Sequence, residues 1–181
     1  LDELPEFDRS VSEVLRQPLE ERVVHITRVS GTVTYPCSFI FVCAMNPCKC
    51  GYYGHASKPC TCTPKARLAY TTKISGPLLD RIDIHVEVPA LDYGELSRTE
   101  PAEPSAEIRR RVIAAREYAA ERTDGPVTCN GLMTPSDIRR FCRMDESGGK
   151  LMQTAYDKFA LSARAYDRIL KVARTAADFD K

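Results

Sequence analysis

Four of the eight cysteines lie close together along the chain, as Cys48-x-Cys50 and Cys60-x-Cys62. Thiolates at this density suit tetrahedral Zn²⁺, whereas cytosolic reductants would break disulfides. The spacing departs from the usual pairs with two intervening residues, so a loop of free, redox-labile thiols is the alternative. His55 lies between the two pairs and is a candidate to replace one thiolate. The sequence therefore predicts a zinc site and leaves the free-thiol alternative open.

An acidic pair and an amide are suited to a nucleotide site. In such a site an aspartate holds Mg²⁺ through its water shell while a glutamate polarises the attacking water, which makes Asp2 and Glu3 candidates. Asn46 follows an apolar run, and ligands of open α/β sheets bind beyond the carboxyl ends of the strands. The simpler alternatives are a solvated turn for the acidic pair and strand termination for Asn46-Pro47.

Two arginines are further candidates for phosphate contacts. Arg81 precedes a short predicted strand, and its rigid guanidinium fork suits a phosphate, but an ion pair with Asp80 or Asp83 explains it equally well. Arg164 lies on the last predicted helix, where the residues alone favour an ion pair with Asp167 or an exposed basic stripe. Neither arginine identifies a site without its surroundings.

The first half of the chain must position most of these residues. Apolar spacing predicts a helix from Phe7 that Pro18 ends, and alternating β-branched residues predict a hairpin over 23–35. The continuous apolar run 39–44 is typical of a strand buried on both faces of a parallel sheet, and 84–88 is a second short strand. These elements indicate an α/β arrangement.

The second half is predicted to be helical. Residues 97–106 lack apolar periodicity and form the predicted linker. Four helices follow: one capped by Ser105, one starting at Thr134-Pro135, one over 151–159 and one capped by Ser162. The sequence therefore predicts an α/β segment followed by a small helical bundle.

Composition excludes several classes of protein. The 181 residues are 43% hydrophobic and 28% charged, which is typical of a globular protein rather than a disordered or collagen-like one. No run approaches the roughly 20 apolar residues of a membrane span, and the opening residues lack the features of a signal peptide, so a cytoplasmic location is expected. The net charge of +1 gives no global field for a polyanion, so any nucleic-acid contact must be local.

Five motifs together resemble a known family. They are Leu-Asp-Glu-Leu-Pro-Glu-Phe, Val-Leu-Arg-Gln-Pro-Leu-Glu, Ala-Met-Asn-Pro-Cys-x-Cys-Gly-Tyr-Tyr-Gly, Ser-Gly-Pro-Leu-Leu-Asp-Arg-Ile-Asp and Ser-Ala-Arg-Ala-Tyr-Asp-Arg-Ile-Leu, in this order. Over essentially the whole chain, they resemble the magnesium chelatase-like AAA+ ATPases, on the branch of the competence-linked DNA helicase. The resemblance implies the later strands of a P-loop NTPase sheet over 1–96, with a hairpin and a Cys-rich loop, a linker at 97–106 and an all-α lid over 107–181.

The resemblance also implies roles for individual residues. Asp2 and Glu3 fall on the Walker B pair, Asn46 on sensor 1, Arg81 on the arginine finger that reaches a neighbouring subunit and Arg164 on sensor 2 of the lid. Arg28, in the hairpin, falls where related ring helicases carry a basic residue that touches DNA. The adjacent Tyr52 and Tyr53 can stack on bases or pack against their own loop.

One expected motif is absent from these 181 residues. No G-x-x-x-x-G-K-[ST] phosphate loop occurs, and Gly149-Lys150 lacks the upstream glycine. The chain therefore resembles the rear portion of a longer protein, beginning inside Walker B, and the isolated chain is expected to bind ATP poorly and to be inactive.

The leading hypothesis is a portion of an ATP-hydrolysing ring motor, hexameric in the full-length protein, that uses ATP and Mg²⁺ and acts on DNA as a helicase or branch-migration factor. A chelatase-type ATPase that remodels a protein partner is the second hypothesis. A non-catalytic binding module stapled by zinc is the third. Salt-dependent DNA binding separates the first from the second, because phosphate contacts release counterions.

Overall fold

The computed structural model describes residues 1–91, 93–97, 101–123 and 129–181, and divides the chain into two compact units, Leu1–Leu96 and Ser97–Lys181. The first unit mixes strands and helices and the second is helical, which confirms the predicted α/β class. Within the predicted linker, residues 98–100 lie outside the described part of the chain. Across the described ranges, every helix is too short or too polar to span a bilayer.

The first unit opens with short helices. A 3-10 helix spans Leu4–Glu6, and α1 (Arg9–Val14) and α2 (Arg16–Glu21) follow it. The prediction that Pro18 ends the helix is wrong, because α2 continues to Glu21. Pro18 is the third residue of α2, where the missing N–H would have had no partner within the helix.

The predicted hairpin is confirmed. Strands β1 (Val23–Arg28) and β2 (Gly31–Pro36) pair antiparallel, in a register that runs from Val23 opposite Pro36 to Arg28 opposite Gly31. Gly31, with a φ of 137°, starts the second strand after a two-residue turn, a conformation that favours glycine. Most of the hairpin is exposed.

The apolar runs 39–44 and 84–88 do not form strands, so these two predictions are wrong. A strand needs a neighbour that pairs with it along its length, and the described residues provide one only at the end of the first run. There the Leu1 amino group donates to the Val42 carbonyl (2.8 Å), and the Ala44 N–H donates to the Leu1 carbonyl (2.9 Å). Ile40 is accordingly 85% exposed rather than buried.

Three further helices complete the first unit: α3 (Pro64–Thr71), α4 (Gly76–Leu79) and α5 (Tyr93–Leu96). The hydroxyl of Thr63 caps α3 by accepting the Ala66 N–H, and the hydroxyl of Ser75 caps α4 by accepting the Leu78 N–H. Leu4, Ile74 and Leu78 form a small buried core between the 3-10 helix and α4.

The second unit contains α6 (Ser105–Arg122), a 3-10 helix (Asn130–Leu132), α7 (Pro135–Phe141), α8 (Glu146–Phe159) and α9 (Ala163–Phe179). Helix α6 packs against α9, and α7 also contacts α9. Met133, Ile138, Met152 and Leu170 form the buried core of this unit.

The helix starts were predicted with mixed success. Thr134 and Ser162 cap their helices as predicted, each by accepting a backbone N–H. Ser105 is the first residue of α6 rather than its cap. Helix α8 begins at Glu146, five residues before the predicted start, because the Asp145 carboxylate accepts the Gly148 N–H at 2.7 Å and offsets the low helix propensity of glycine.

Candidate nucleotide site and four-cysteine cluster

The chain brings its acidic pair close to Asn46. The hydrogen bonds of Leu1 to Val42 and Ala44 set the start of the chain parallel to the end of the apolar run 39–44, and the Leu4 N–H donates to the Ala44 carbonyl at 3.0 Å. Asp2 and Glu3 therefore lie beside the segment that leads to Asn46. All three predicted site residues are exposed and free to meet a ligand.

Glu3 has an unusual backbone. Its φ of 50° and ψ of 48° are left-handed, which costs a non-glycine residue about 1–2 kcal/mol. The Asp2 carboxylate accepts the Glu3 N–H at 2.9 Å, and the Glu3 carbonyl accepts the Glu6 N–H at 2.8 Å, so local hydrogen bonds hold this conformation. Strained backbone of this kind concentrates at functional sites, which is consistent with a role for Glu3. Asp2 keeps carboxylate capacity for a hard cation such as Mg²⁺.

Tyr70 links this region to the rest of the unit, and sequence reasoning missed it. The ring is buried on α3, and burial raises the pKa of its phenol, with the nearby Glu6 and Glu3 carboxylates raising it further. A hydrogen bond with the backbone of Asn46 acts in the opposite direction. Lys73, one turn later, forms an ion pair with Glu6 at 3.6 Å. A buried tyrosine thus connects the backbone of Asn46 with the carboxylates of Glu3 and Glu6 through its phenol.

Arg81 is engaged inside its own unit. Its guanidinium pairs with Glu20 of α2 and donates to the Pro77 carbonyl at 2.6 Å. The alternative of a pair with Asp80 or Asp83 is therefore wrong, since the acidic partner comes from 61 residues away in the chain. Its Nε is buried and has no hydrogen-bond partner. To reach a neighbouring subunit, this side chain would first have to leave Glu20.

Two further predicted residues, Arg28 and Arg164, lie on other elements. Arg28 is exposed at the end of β1, next to the tip of the hairpin, as a DNA contact requires. Arg164 is exposed and is the second residue of α9, in the second unit. A positive charge in the first turn of a helix is unfavourable because of the helix macrodipole. The position of Arg164 in α9 therefore does not stabilise its charge.

The four predicted cysteines form one cluster. The sulfur atoms of Cys48, Cys50, Cys60 and Cys62 all lie within 4.8 Å of one another. Sγ–Sγ separations are 3.3 Å for Cys48–Cys50, 3.5 Å for Cys50–Cys60 and 3.7 Å for Cys48–Cys60. A disulfide requires about 2.05 Å, whereas sulfurs around a tetrahedral zinc ion with bonds of about 2.3 Å stand ~3.8 Å apart. The donor set and its spacing therefore fit zinc.

His55 does not join the cluster. Its Nδ1 accepts the backbone N–H groups of Ser57 and Lys58, at 3.1 Å and 3.2 Å, and so orders the loop between the two cysteine pairs. The predicted substitution of a thiolate by this imidazole is therefore not observed, because the cluster consists of four sulfurs and the His55 imidazole is engaged with the backbone of its loop.

Backbone N–H groups favour thiolates in the cluster. The Tyr52 N–H lowers the pKa of the Cys50 thiol to about 5. Burial opposes ionisation of Cys48, but hydrogen bonds that include the Tyr53 N–H lower its pKa. A hydrogen bond to Cys50 raises the pKa of Cys62 to about 11. Gly51 makes this arrangement possible, since its φ of 80° turns the chain so that the next two N–H groups meet the sulfurs.

Both units match models of one protein family. Residues 1–96 match "Magnesium chelatase, subunit ChlI", and residues 102–181 match "Magnesium chelatase, subunit ChlI C-terminal". An α/β unit and a helical unit in this order are thus the two consecutive parts of one class of protein. The chain belongs to the magnesium chelatase-like family.

Curated relatives place the chain more closely within the family. It is 40% identical over 183 residues to the uncharacterized protein YifB of Escherichia coli K12. The alignment covers 100% of this chain and 35% of the relative. It is also 40% identical over 179 residues to the competence protein ComM of Haemophilus influenzae. This alignment covers 98% of this chain and 34% of the relative. The chain spans about a third of the length of these relatives. The similarity to ComM supports the competence branch.

Proposed function

We propose that this chain is part of an ATP-hydrolysing ring motor that acts on DNA. The observation that carries the proposal is the pairing of Leu1 with Val42 and Ala44, which sets an acidic pair beside an exposed amide in a member of this family. The DNA substrate is what the resemblance to the competence-linked DNA helicase branch implies, and a relative named a competence protein agrees with that branch. We infer a cytoplasmic, hexameric assembly in the full-length protein.

The residues would divide the work as follows. Asp2 would hold Mg²⁺, and Glu3 would orient the water that attacks the γ-phosphate. Asn46 would position that water or a phosphate oxygen. Arg81 would stabilise the charge that develops in a neighbouring subunit, and Arg164 would contact the phosphate from the lid. Because Arg81 pairs with Glu20 within its own unit, assembly of the ring would have to exchange this partner.

The decisive experiment measures ATP hydrolysis by the full-length protein with Glu3→Gln. The amide keeps the size of the side chain but cannot polarise water, so we expect kcat to fall about 10²–10⁴-fold while ATP binding is retained. Glu117→Gln, on the exposed face of α6, is the matched control and should leave kcat unchanged. Unchanged turnover in Glu3→Gln would remove Glu3 from the mechanism.

A DNA substrate is tested by salt dependence and by Arg28→Ala. Phosphate contacts release counterions, so the affinity for DNA should fall steeply with salt, and removal of Arg28 should weaken binding to all sequences alike. A protein substrate is the second candidate, favoured by the chelatase subunit named in the family description. Salt-independent or undetectable DNA binding would favour that candidate.

We also propose that the four-cysteine cluster holds one structural Zn²⁺. The sulfur separations carry this proposal. Metal analysis of protein prepared without chelator should find one zinc per chain, and Cys60→Ser should lose it. Cys129→Ser, in the second unit, should retain it. A zinc content far below one per chain would leave free thiols as the better description.

A further inference from the structure

The residues around the four-cysteine cluster belong to a segment with an unusual distribution of charge. From Arg22 to Leu79 the chain has seven Lys and Arg residues and no Asp or Glu. At the average acidic content of the whole chain, a stretch of this length would contain about eight acidic residues. The net charge of +1 hides this segregation. A polyanion approaching this part of the surface meets no carboxylate from the segment itself.

Two adjacent tyrosines project from the cluster. They follow directly after Cys50 and Gly51, between the two cysteine pairs, so the position of both rings depends on the cluster. Tyr53 is 53% exposed, and Tyr52 is 38% exposed although its ring meets the His55 ring edge to face, with the centroids 5.8 Å apart. Exposed aromatic rings on a constrained backbone lose little entropy when they stack on a ligand.

A cation accompanies each ring. The Lys58 Nζ lies 5.1 Å from the centroid of the Tyr52 ring, and the Arg67 guanidinium carbon lies 4.4 Å from the centroid of the Tyr53 ring. Arg67 is held in place because it also donates to the Cys62 carbonyl at 3.0 Å. A cation on one face of the Tyr53 ring leaves the opposite face for a planar group, and the Tyr52 ring, which also contacts His55, offers its exposed part.

The charge balance remains positive when zinc is counted. Four thiolates around one Zn²⁺ carry two net negative charges, which is fewer than the positive charges nearby. The surface that combines these groups is called here the tyrosine–lysine surface, and its residues are Lys49, Tyr52, Tyr53, Lys58, Lys65 and Arg67. The three lysines are all exposed.

We propose that the tyrosine–lysine surface binds single-stranded DNA, with bases stacked on Tyr52 and Tyr53 and phosphates held by the lysines. Paired aromatic rings among cations are the arrangement that binds single strands without regard to sequence, because every base offers a flat face. A duplex keeps its bases stacked, and an acidic protein does not need the rings. The inference rests on the proposed DNA function and adds a contact surface separate from Arg28.

The test measures fluorescence anisotropy of a labelled oligothymidylate of roughly 20 nucleotides, longer than the ~4–16 nucleotides that one binding fold covers. The zinc-loaded 181-residue chain is titrated at several salt concentrations. Tyr52→Ala with Tyr53→Ala should weaken binding about 10-fold or more, whereas Tyr52→Phe with Tyr53→Phe keeps the rings and should stay within about 2-fold. Zinc content and circular dichroism check that each variant is folded.

Lysine variants provide a second, independent measurement that does not depend on the rings. Lys49→Gln and Lys58→Gln should each reduce the slope of log K against log salt by about 0.7, the value for one phosphate contact on a single strand. Lys150→Gln, on α8 of the second unit, is the matched control and should leave the slope unchanged. If the alanine variants lose zinc, these slopes decide the proposal.

The outcomes separate this inference from the proposed DNA function. If Arg28→Ala weakens binding while the tyrosine and lysine variants bind like the unmodified chain, the tyrosine–lysine surface is wrong and the DNA function stands. If the unmodified chain shows no salt-dependent binding, both are wrong. Equal affinity for polyglutamate, unaffected by loss of the rings, would identify a general site for acidic chains and overturn the preference for single-stranded DNA.

Discussion

The two units of the chain are stabilised in different ways. The described part of the first unit has a small apolar core, Leu4, Ile74 and Leu78, and long irregular stretches around the four-cysteine cluster. The second unit is stabilised by packed helices, a buried apolar core and an ionic network centred on Asp178. From this difference we propose that the first unit depends on a bound metal, whereas the second is stabilised by its own side chains.

The network in the second unit joins three elements. The Asp178 side chain is 1% exposed and receives hydrogen bonds from Arg122 of α6, Asn130 of the 3-10 helix and Arg174 of its own helix. Asn130 also donates to the Thr175 hydroxyl at 3.0 Å. Because every acceptor direction of the carboxylate is used, the buried charge is compensated.

The largest effect is expected at the cysteine cluster. Cys48→Ser removes a buried thiolate, and structural zinc supplies about 10–16 kcal/mol in small zinc domains, as much as the whole stability of a typical domain. We therefore expect the unfolding transition of the first unit to disappear in calorimetry while that of the second persists. Cys37→Ser, outside the cluster, is the control and should retain both transitions. A first unit that unfolds normally in Cys48→Ser would refute its dependence on metal.

The next largest effect is expected at Asp178. Asp178→Asn leaves Arg122 and Arg174 without their charged partner, which costs about 3–5 kcal/mol when an ion pair is buried. Denaturant unfolding of the second unit measures this loss. Asp180→Asn, on the exposed end of α9, should change stability by less than ~0.5 kcal/mol. Similar results for both variants would mean that the network contributes little.

The same carboxylate predicts a pH dependence. Burial tends to raise the pKa of Asp178, but hydrogen bonds from Arg122, Asn130 and Arg174 outweigh it and the pKa is lowered. The stabilisation is therefore complete above the unfolded pKa of about 3.9 and is lost as the pH falls below it towards the lower folded value. Unfolding of the second unit measured from pH 7 downwards should show this loss, and Asp178→Asn should remove that part of the dependence.

A smaller effect is expected at the start of α7. Thr134 and Asp137 form a reciprocal capping box, in which each side chain accepts the other residue's backbone N–H. Thr134→Ala should cost about 1 kcal/mol in the unfolding of the second unit. Thr134→Ser keeps the hydroxyl and should cost much less, and an equal loss in both variants would point to the methyl group instead of the cap.

The smallest effect is expected for the pair of Glu20 and Arg81. The Glu20 side chain is 42% exposed, and pairs open to solvent contribute less than ~1 kcal/mol. Thermal unfolding of Glu20→Gln should therefore shift only slightly. A loss comparable with that of Asp178→Asn would show that the first unit is held by this ion pair, contrary to the contrast drawn between the units.

Local signals in the sequence predicted local structure well. The hairpin, the caps at Thr134 and Ser162 and the cysteine cluster follow from residues that are close along the chain. The start of α8 was missed because Gly148 and Gly149 obscure a helix that the Asp145 cap stabilises.

The features that the sequence did not predict involve contacts between residues that are far apart along the chain. Whether the runs 39–44 and 84–88 become strands depends on neighbours that their own residues do not specify. The pairing of Arg81 with Glu20 and the contact of Tyr70 with the backbone of Asn46 arise only when α2 and α3 are folded. The sequence does contain a signal for the tyrosine–lysine surface, because residues 22–79 include no Asp or Glu. The net charge of the whole chain does not reveal this local excess of positive charge.

Hydrogen exchange of the 181-residue chain with and without a zinc chelator tests the dependence on metal most directly. With zinc bound, the amides of the cysteine loop from Cys48 to Cys62 and of the helices in both units should be protected from exchange. After chelation, we predict that protection is lost around the loop and α3 while α6 and α9 exchange as before. Unchanged protection of the loop after complete removal of the metal would contradict the account, as would equal loss in both units.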